Sequence, residues 1–176
     1  MACTQTLAGI ARDCASNMGG VLEVLLANKA DVSAITIASN KITAITMASS
    51  AKFHKYQFAP ETASMSSNLQ VNAQNGTKYW QTDLLMVFNR METAKRVEIM
   101  AMAQGELVAI AKDGNGTYWF LGFDEPLAIS AGDGLTGTAR ADRNGYSATM
   151  QDNSLELPYE ILTGDGGVDI SAITAA

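Results

Sequence analysis

The clearest pattern in this chain is an alternation of side chains between residues 64 and 71. Met65, Ser67, Leu69 and Val71 occupy one set of alternate positions, and Ser64, Ser66, Asn68 and Gln70 occupy the other. A period of two puts successive side chains on opposite faces of a β-strand, whereas a helix needs a period near 3.6. The segment is therefore predicted to be a half-buried strand.

Other strand-like runs are separated by residues that favour turns. The sequence Asp-Gly-Asn-Gly at 113–116 lies between two alternating runs and predicts a tight hairpin. Ser39-Asn40 predicts a second turn, between the runs 35–37 and 41–47. The run 82–88 becomes apolar on both sides at its end, which predicts a central strand. Pro158 places the last run, 155–162, at a sheet edge or a bulge.

One helix is predicted, over residues 90–103. Asn89 has the side chain of a good N-cap, and Glu92 three residues later completes a capping-box pattern. Glu92 also precedes Arg96 by four residues, a favourable spacing for an ion pair worth about 0.3 kcal/mol. Gly105 is placed to end the helix with a residue in the left-handed conformation.

The predicted helix is apolar on more than one face. Val97, Met100 and Ala101 form one stripe, and Ile99 and Met102 widen it beyond what a simple surface helix needs. A helix of this kind usually packs against two neighbours. We therefore expect it to pack against two separate surfaces.

The chain is predicted to be one domain, residues 1–176, because neither an internal repeat nor a linker divides it. The expected architecture is mainly β, a sandwich or barrel of about eight to ten strands with one flanking α-helix. Three segments are longer than such a domain needs: an N-terminal arm at 1–20, a loop at 48–64 and a C-terminal tail at 164–176. Extended arms of this kind are typical of subunits that reach onto their neighbours, and equally of disordered termini with a flexible loop.

Composition excludes several classes of protein. Hydrophobic residues make up 47% of the 176 residues and charged residues 17%, so the chain is not expected to be disordered. We expect no membrane-spanning segment and no signal peptide, and Cys3 and Cys14 are expected to be free thiols. The formal charge of −6 argues against tight binding of nucleic acid, which needs clustered Lys and Arg.

The sequence has only weak matches to motifs that bind nucleotides or metals or that catalyse reactions. Residues 132–137 match the Gly-x-Gly-x-x-Gly spacing of dinucleotide loops, but no helix is predicted to follow them, so the glycines are interpreted as part of a tight connection between strands. His54 is the single histidine and lies within a predicted strand. Asp113 begins a run resembling a calcium loop, whose glutamate at position twelve is replaced by Asp124. The chain is predicted to be neither an enzyme nor a binder of metals or cofactors.

Several longer segments carry a resemblance to a known family. They are Met1 to Thr4, Asn17 to Asn28, Tyr56 to Phe58, Asn75 to Thr77, Asp113 to Gly122 and, most sharply, Gly134 to Met150. Together they resemble the tail tube proteins of phages that infect Bacteroidetes and of related marine phages. The resemblance extends over nearly the whole chain, although the strand around Met150 and the acidic C-terminal stretch depart from the family pattern.

The resemblance implies a structural virion protein that forms hexameric rings stacked into a tail tube, through which the genome passes without specific binding. It implies localisation in the virion tail after synthesis in the host bacterial cytoplasm. The implied partners are other copies of this chain and the tape measure, terminator and baseplate proteins, and no membrane is implied. Eight residues are then expected to take part in self-assembly: Phe53, Tyr56, Phe58, Asn89, Glu92, Arg96, Val97 and Met100.

Two alternatives remain open from the sequence. One is a tail terminator or head–tail connector, which would form a ring of similar fold that does not elongate. The other is a monomeric β-sandwich that binds carbohydrate or protein through exposed aromatic residues. The pairs Tyr79-Trp80 and Tyr118-Trp119 could provide such aromatics, although core or interface positions suit them better.

Overall fold

The computed structural model describes residues 7–175, which form two packed β-sheets and one long helix. Strands make up 50% of the chain and helices 11%. The seven strands of the large sheet are β1 (Val21–Asn28), β2 (Val32–Ala38), β3 (Lys41–Met47), β4 (His54–Gln57), β7 (Leu107–Asp113), β8 (Tyr118–Leu121) and β11 (Tyr159–Ile161). The four strands of the small sheet are β5 (Ala63–Asn72), β6 (Thr77–Asn89), β9 (Ala128–Leu135) and β10 (Gly145–Ser154). The predicted mainly-β fold with a flanking helix is confirmed.

Both predicted tight turns join antiparallel neighbours. Ser39 and Asn40 have φ angles of 53° and 62° between β2 and β3, the conformation that a two-residue hairpin turn requires. In the β7–β8 turn, one Asp113 carboxylate oxygen accepts the amides of Asn115 and Thr117, each at 2.9 Å. This side chain substitutes for backbone partners, as Asx turns do.

The strand order of the large sheet is β2-β3-β11-β8-β7-β1-β4. β11 lies between β3, to which it is parallel, and β8, to which it is antiparallel. The prediction of an edge strand or bulge over 155–162 is therefore wrong. The strand is only three residues long and begins directly after Pro158, so the missing amide of proline costs the sheet no hydrogen bond.

The small sheet has the order β5-β6-β10-β9, and every pair in it is antiparallel. β6 lies between two partners, so the prediction of a central strand is confirmed. The alternating segment that predicted a strand forms β5 at the edge of this sheet.

Two hydrophobic cores lie on opposite faces of the large sheet. In β1 and β7, neighbouring residues serve different cores: Val24 and Ala109 face the small sheet, whereas Leu25 and Ile110 face the other side. The first core is completed from the small sheet by Leu84, Met86, Ala148 and Met150, all 0% exposed. Burial on both faces explains why these two strands are continuous apolar runs in the sequence and not alternating ones.

The long helix, α1 (Thr93–Gln104), is shorter at its start than predicted. Asn89 is the last residue of β6 and pairs with Gly145, and Arg90 has a φ of 65°, so Asn89 is not the N-cap. Asn144 accepts the amides of Arg90 (2.6 Å, through its carbonyl) and Met91 (2.9 Å, through its side chain). Strand pairing and this turn therefore occupy the residues that the capping box would have used.

The other end of α1 also differs from the prediction. Gly105 has a φ of −95° and an extended conformation, not a left-handed one. Its amide donates to the Met102 carbonyl at 3.3 Å, and the chain then enters β7 directly. Because the next strand continues in the extended direction, no left-handed reversal is needed.

The C-terminal segment packs on its own domain. Asp169 caps the short helix α2 (Ile170–Ile173) by accepting the amides of Ser171 and Ala172. Phe53 then bridges to Thr174, and the Phe53 carbonyl accepts the Ala175 amide at 2.8 Å. Val168, Ile170 and Ile173 pack in the second core, so residues 164–175 do not form a free tail. That the exposed residues of this segment contact a neighbouring subunit stays a prediction. Residue 176 lies outside the described residues.

The N-terminal arm has no helix or strand over residues 7–19, and every residue from 7 to 20 is exposed. It is tied to the domain near its end, where the Met18 amide donates to the Asn115 side chain at 2.8 Å and the Gly114 amide donates to Gly20 at 3.0 Å. Residues 1–6 of the predicted arm lie outside the described residues.

Candidate assembly surfaces

The three aromatic residues predicted for self-assembly are built into the subunit. Phe53 is 0% exposed in the second core, so its assignment to an assembly surface is wrong. Tyr56 and Phe58 are partly buried against the first core, and both contact the ring of Phe88, with ring centroids 6.3 and 5.5 Å apart. The prediction of a loop over 48–64 is wrong in part, because this segment contains β4 and the start of β5. It packs in the second core through Phe53 and against the first core through Tyr56 and Phe58.

Tyr56 fixes the position of α1 relative to β4. Its hydroxyl donates to the Glu98 carboxylate at 3.0 Å. Burial and this hydrogen bond to Glu98 raise the pKa of Tyr56, so the phenol keeps its proton at neutral pH. The contact holds one side of the helix against its own subunit and leaves the opposite side free.

The ion pairs around α1 differ from those expected. Glu92 pairs with Arg90 (3.1 Å) and Lys95 (3.3 Å), and the predicted Glu92–Arg96 pair is not formed. The Arg96 guanidinium instead lies 3.3 Å from the Met100 sulfur. The turn that displaces the start of the helix also changes which cation Glu92 reaches.

The free side of α1 is apolar. Val97 and Met100 are 52% and 51% exposed, whereas Met102 on the opposite side is buried at 4%. The helix packs on β9 and β10 through that opposite side. We define the α1 outer face as Ala94, Val97, Met100 and Ala101, all of which are exposed. Of the residues predicted for self-assembly, Val97 and Met100 have the exposed apolar surface that an interface needs.

β5 is a sheet edge with none of the usual protection against pairing. Its ten residues include no charged residue and no proline, and its register with β6 is free of bulges. Natural edge strands normally carry a charged residue, a proline or a bulge, because a regular row of free amides and carbonyls pairs with another strand. The alternating sequence predicts this strand, whereas its edge position depends on the order of strands that are distant in the chain.

The face of the small sheet that points away from the cores is mostly polar. Its polar members include Ser64, Ser66, Asn68, Gln70, Gln81, Asp83, Ser147, Thr149, Gln151 and Asn153, and its apolar members are Tyr79, Leu85 and Val87. None of these positions holds Lys or Arg. Arg143 approaches from the adjoining turn and pairs with Asp133 at 2.5 Å. A hydrogen bond from Ser147, together with Arg143, lowers the pKa of Asp133, so this face carries carboxylates at neutral pH.

Asp152 is the buried carboxylate of the small sheet, with 4% of its surface exposed. Its Oδ2 atom accepts the Gly122 amide at 2.7 Å, and its Oδ1 atom has no hydrogen-bond partner among the described residues. Burial raises the pKa of Asp152, opposed by the bonds from Gly122 and Thr82 and reinforced by Asp124 and Glu125. Asp152 therefore ionises less readily than an exposed aspartate does.

The first two glycines of the Gly-x-Gly-x-x-Gly segment lie within a strand, whereas a connection between strands was predicted. Gly132 and Gly134 are inside β9, opposite Ala148 and Tyr146, and a turn follows them. The interpretation of these two glycines as part of a connection between strands is wrong. A Cβ at Gly134 would approach the Tyr146 ring to 3.0 Å, which explains glycine within the strand.

A cavity of about 880 Å³ lies beside the C-terminal segment and is lined by Glu23, Lys55, Tyr118 and Asp169, among others. Glu23 and Lys55 pair with each other across 3.0 Å. Within residues 7–175, no three His, Cys, Asp or Glu side chains are grouped closely enough to hold a metal ion. In the same range, no helix has both the length and the apolar character to cross a membrane.

Comparisons with known proteins add no relative. No protein-family model, curated protein or solved structure matches the chain.

Proposed function

We propose that this chain is a structural virion protein that assembles into hexameric rings, which stack into a phage tail tube. The proposal combines the resemblance of its sequence to tail tube proteins with the unprotected edge of the small sheet. That edge is the observation that carries the proposal, because an uncharged ten-residue edge strand is costly to maintain unless another strand covers it.

The small sheet has the right strand directions for joining copies side by side. Its four strands alternate in direction from β5 to β9, so β5 of one copy lies antiparallel to β9 of the next when the copies share one orientation. Such a head-to-tail contact uses two different edges and closes into a ring when the rotation allows it. Six copies would then form a continuous barrel of antiparallel strands.

In this arrangement the polar face of the small sheet lines the channel. Its lining of serine, threonine, asparagine and glutamine, with a few carboxylates and the apolar Tyr79, Leu85 and Val87, offers no cluster of cations to the DNA backbone. Basic walls would hold the DNA through counterion release and slow its passage. Six copies of a chain with a formal charge of −6 carry −36, which also disfavours adhesion of DNA.

The test is the assembly state of the purified protein. We expect sedimentation and negative-stain imaging to show hollow tubes built from stacked rings. Single rings that never elongate would instead support a terminator or connector. A protein that stays monomeric at high concentration would overturn the proposal.

Hydrogen exchange tests the edge contact separately. Amides of β5 and β9 that point away from their own sheet should exchange quickly in dilute subunits and slowly in tubes. The turn at 136–144 serves as the control and should exchange quickly in both. Tubes in which β5 and β9 remain unprotected would show that the copies join through other surfaces.

A further inference from the structure

Asparagine is followed by glycine at three places in the chain, each in or beside a turn between strands. The pairs are Asn75-Gly76, Asn115-Gly116 and Asn144-Gly145. Glycine has no side chain to hinder its main-chain nitrogen, which can therefore approach the side chain of the preceding asparagine. Asn-Gly is for this reason the sequence in which asparagine most readily loses its amide, provided that the fold leaves the reacting atoms free.

Loss of the amide proceeds in two steps and needs only water. The main-chain nitrogen of glycine attacks the Cγ atom of asparagine, and a new N–C bond closes a five-membered imide. The bond from Cγ to the side-chain nitrogen breaks, and ammonia leaves with the proton of the attacking nitrogen. Water then opens the imide at either carbonyl carbon, which gives aspartate or isoaspartate. Both the glycine nitrogen and the side-chain nitrogen of asparagine must therefore be free to move.

The Asn75-Gly76 pair meets both conditions. It lies in the exposed connection between Asn72 of β5 and Thr77 of β6. Neither the Gly76 amide nor Asn75 Nδ2 donates a hydrogen bond within residues 7–175, since the bonds of the Asn75 side chain use Oδ1, which accepts the Thr77 amide at 3.3 Å and the Thr77 hydroxyl at 2.9 Å. A Cβ atom added at Gly76 would meet no atom within 4 Å, so the space around the attacking nitrogen is open.

The Asn115-Gly116 pair is also exposed, but hydrogen bonds hold both of its reacting groups. The Gly116 amide donates to the Asp113 carbonyl at 3.1 Å. Asn115 Nδ2 donates to the Asn17 side chain at 2.8 Å, and Asn115 Oδ1 accepts the Met18 amide at 2.8 Å. The reaction there requires the turn and the end of the N-terminal arm to open together, which costs free energy.

The Asn144-Gly145 pair is held by the small sheet. Gly145 is buried in β10 between Asn89 of β6 and Leu135 of β9. Asn144 Oδ1 accepts the Met91 amide at 2.9 Å. The nitrogen of Gly145 can turn toward the Asn144 side chain only when β10 separates from its neighbours, so this pair should react more slowly than an exposed one.

We propose that Asn75 is a site of spontaneous deamidation, which the folded protein modifies in preference to Asn115 and Asn144. This inference goes beyond the proposed function and does not depend on it, because the reaction takes place within one hairpin. Lys78 is the single charged residue between 69 and 80, so a carboxylate at position 75 makes this end of the hairpin neutral overall. Isoaspartate also adds a carbon atom to the main chain and so disrupts the turn.

Timed incubation of the purified full chain tests the proposal at mildly alkaline pH, where a main-chain amide loses its proton more readily. Trypsin cleaves after Lys and Arg and places the three pairs in separate peptides, 56–78, 113–140 and 144–176. The mass of a peptide rises when its amide becomes an acid, and fragmentation identifies the residue. We expect Asn75 to react at least about tenfold faster than Asn115 or Asn144.

Two controls distinguish the effect of the fold from that of the sequence. In denaturant, the three identical dipeptides lose their contacts and should react at rates within about twofold of one another. Asn75→Gln should keep peptide 56–78 unmodified, because the longer side chain does not form the five-membered imide.

The form of the product gives an independent readout. A protein-isoaspartate methyltransferase, which methylates isoaspartate and not aspartate, should label the incubated folded protein mainly in peptide 56–78. A folded protein in which Asn115 or Asn144 reacts as fast as Asn75 would overturn the inference. So would an Asn75 that reacts in the unfolded chain and stays intact in the folded one.

Discussion

At Gly145, β10 passes so close to β6 that no side chain fits between the two strands. A Cβ atom there would lie 2.1 Å from the Phe88 carbonyl oxygen, well inside van der Waals contact. We expect Gly145→Ala to reduce the free energy of unfolding by about 2 kcal/mol or more, because β10 must move away from β6. Gly19→Ala is the control, since a Cβ atom added at this arm residue would meet no atom within 4 Å. Equal denaturation midpoints for the two variants would contradict this account.

Asp152 makes stability depend on pH. Because burial raises its pKa in the folded state, folding is favoured by the neutral carboxyl below about pH 4, and that contribution is lost as the pH rises through the folded-state pKa. Asp152→Asn keeps a carbonyl for the Gly122 amide and removes the charge. We expect it to stabilise the subunit at pH 7 by on the order of 1 kcal/mol and to have little effect near pH 3.

Thermal unfolding between pH 3 and pH 7 measures the effect of Asp152→Asn. Asp165→Asn removes a carboxylate from an exposed loop and is the matched control, expected to follow the wild-type curve. A variant Asp152→Asn that is less stable than the wild type at pH 7 would contradict this account and show that the charge of Asp152 stabilises the fold. The Lys29 ammonium would then be the partner of that charge. Burial lowers the pKa of Lys29, and Asp124 and Asp152 oppose this effect.

At the scale of elements, the C-terminal segment is a structural part of the fold. Val168 is 5% exposed in the second core beside Phe53, whereas Val97 on α1 is 52% exposed. We expect Val168→Ala to reduce the free energy of unfolding by about 1–2 kcal/mol, through lost burial and the cavity left behind. Val97→Ala makes the same change at an exposed site and should be close to neutral for the subunit. Chemical denaturation of both variants distinguishes a packed segment from a free tail, which would give two equal values.

At the scale of the whole molecule, the N-terminal arm is the described segment that the fold leaves most exposed. Leu7 and Ile10 are 91% and 101% exposed, and burying each against another copy would contribute about 1.5–3 kcal/mol. We expect deletion of residues 2–16 to leave a subunit with unchanged circular dichroism that no longer forms tubes.

A double substitution separates arm length from arm chemistry. Leu7→Ser with Ile10→Ser should weaken tube formation as the deletion does, whereas Ala8→Ser with Ala11→Ser changes the same arm without removing large apolar side chains. Light scattering and imaging follow assembly in each case. Normal tubes from the deletion would remove the arm from the assembly mechanism.

The alternating strand and the tight turns of this protein follow from its sequence alone, because alternation and turn-forming dipeptides act through neighbouring residues. β5, the β2–β3 turn and the β7–β8 turn were predictable for that reason. The exposed apolar side of α1 was also predictable, since the helix has more apolar residues than one contact can bury.

Tertiary structure decided which surface each element offers. The start of α1 is shifted because Asn144 from a distant turn captures the amides before it, and β11 is central because β3 and β8 lie on either side of it. Phe53 is buried for a similar reason, since the C-terminal segment folds back over it. Strand order, edge position and burial depend on contacts between residues far apart in the chain, and local sequence patterns carry no information about which distant partner is chosen.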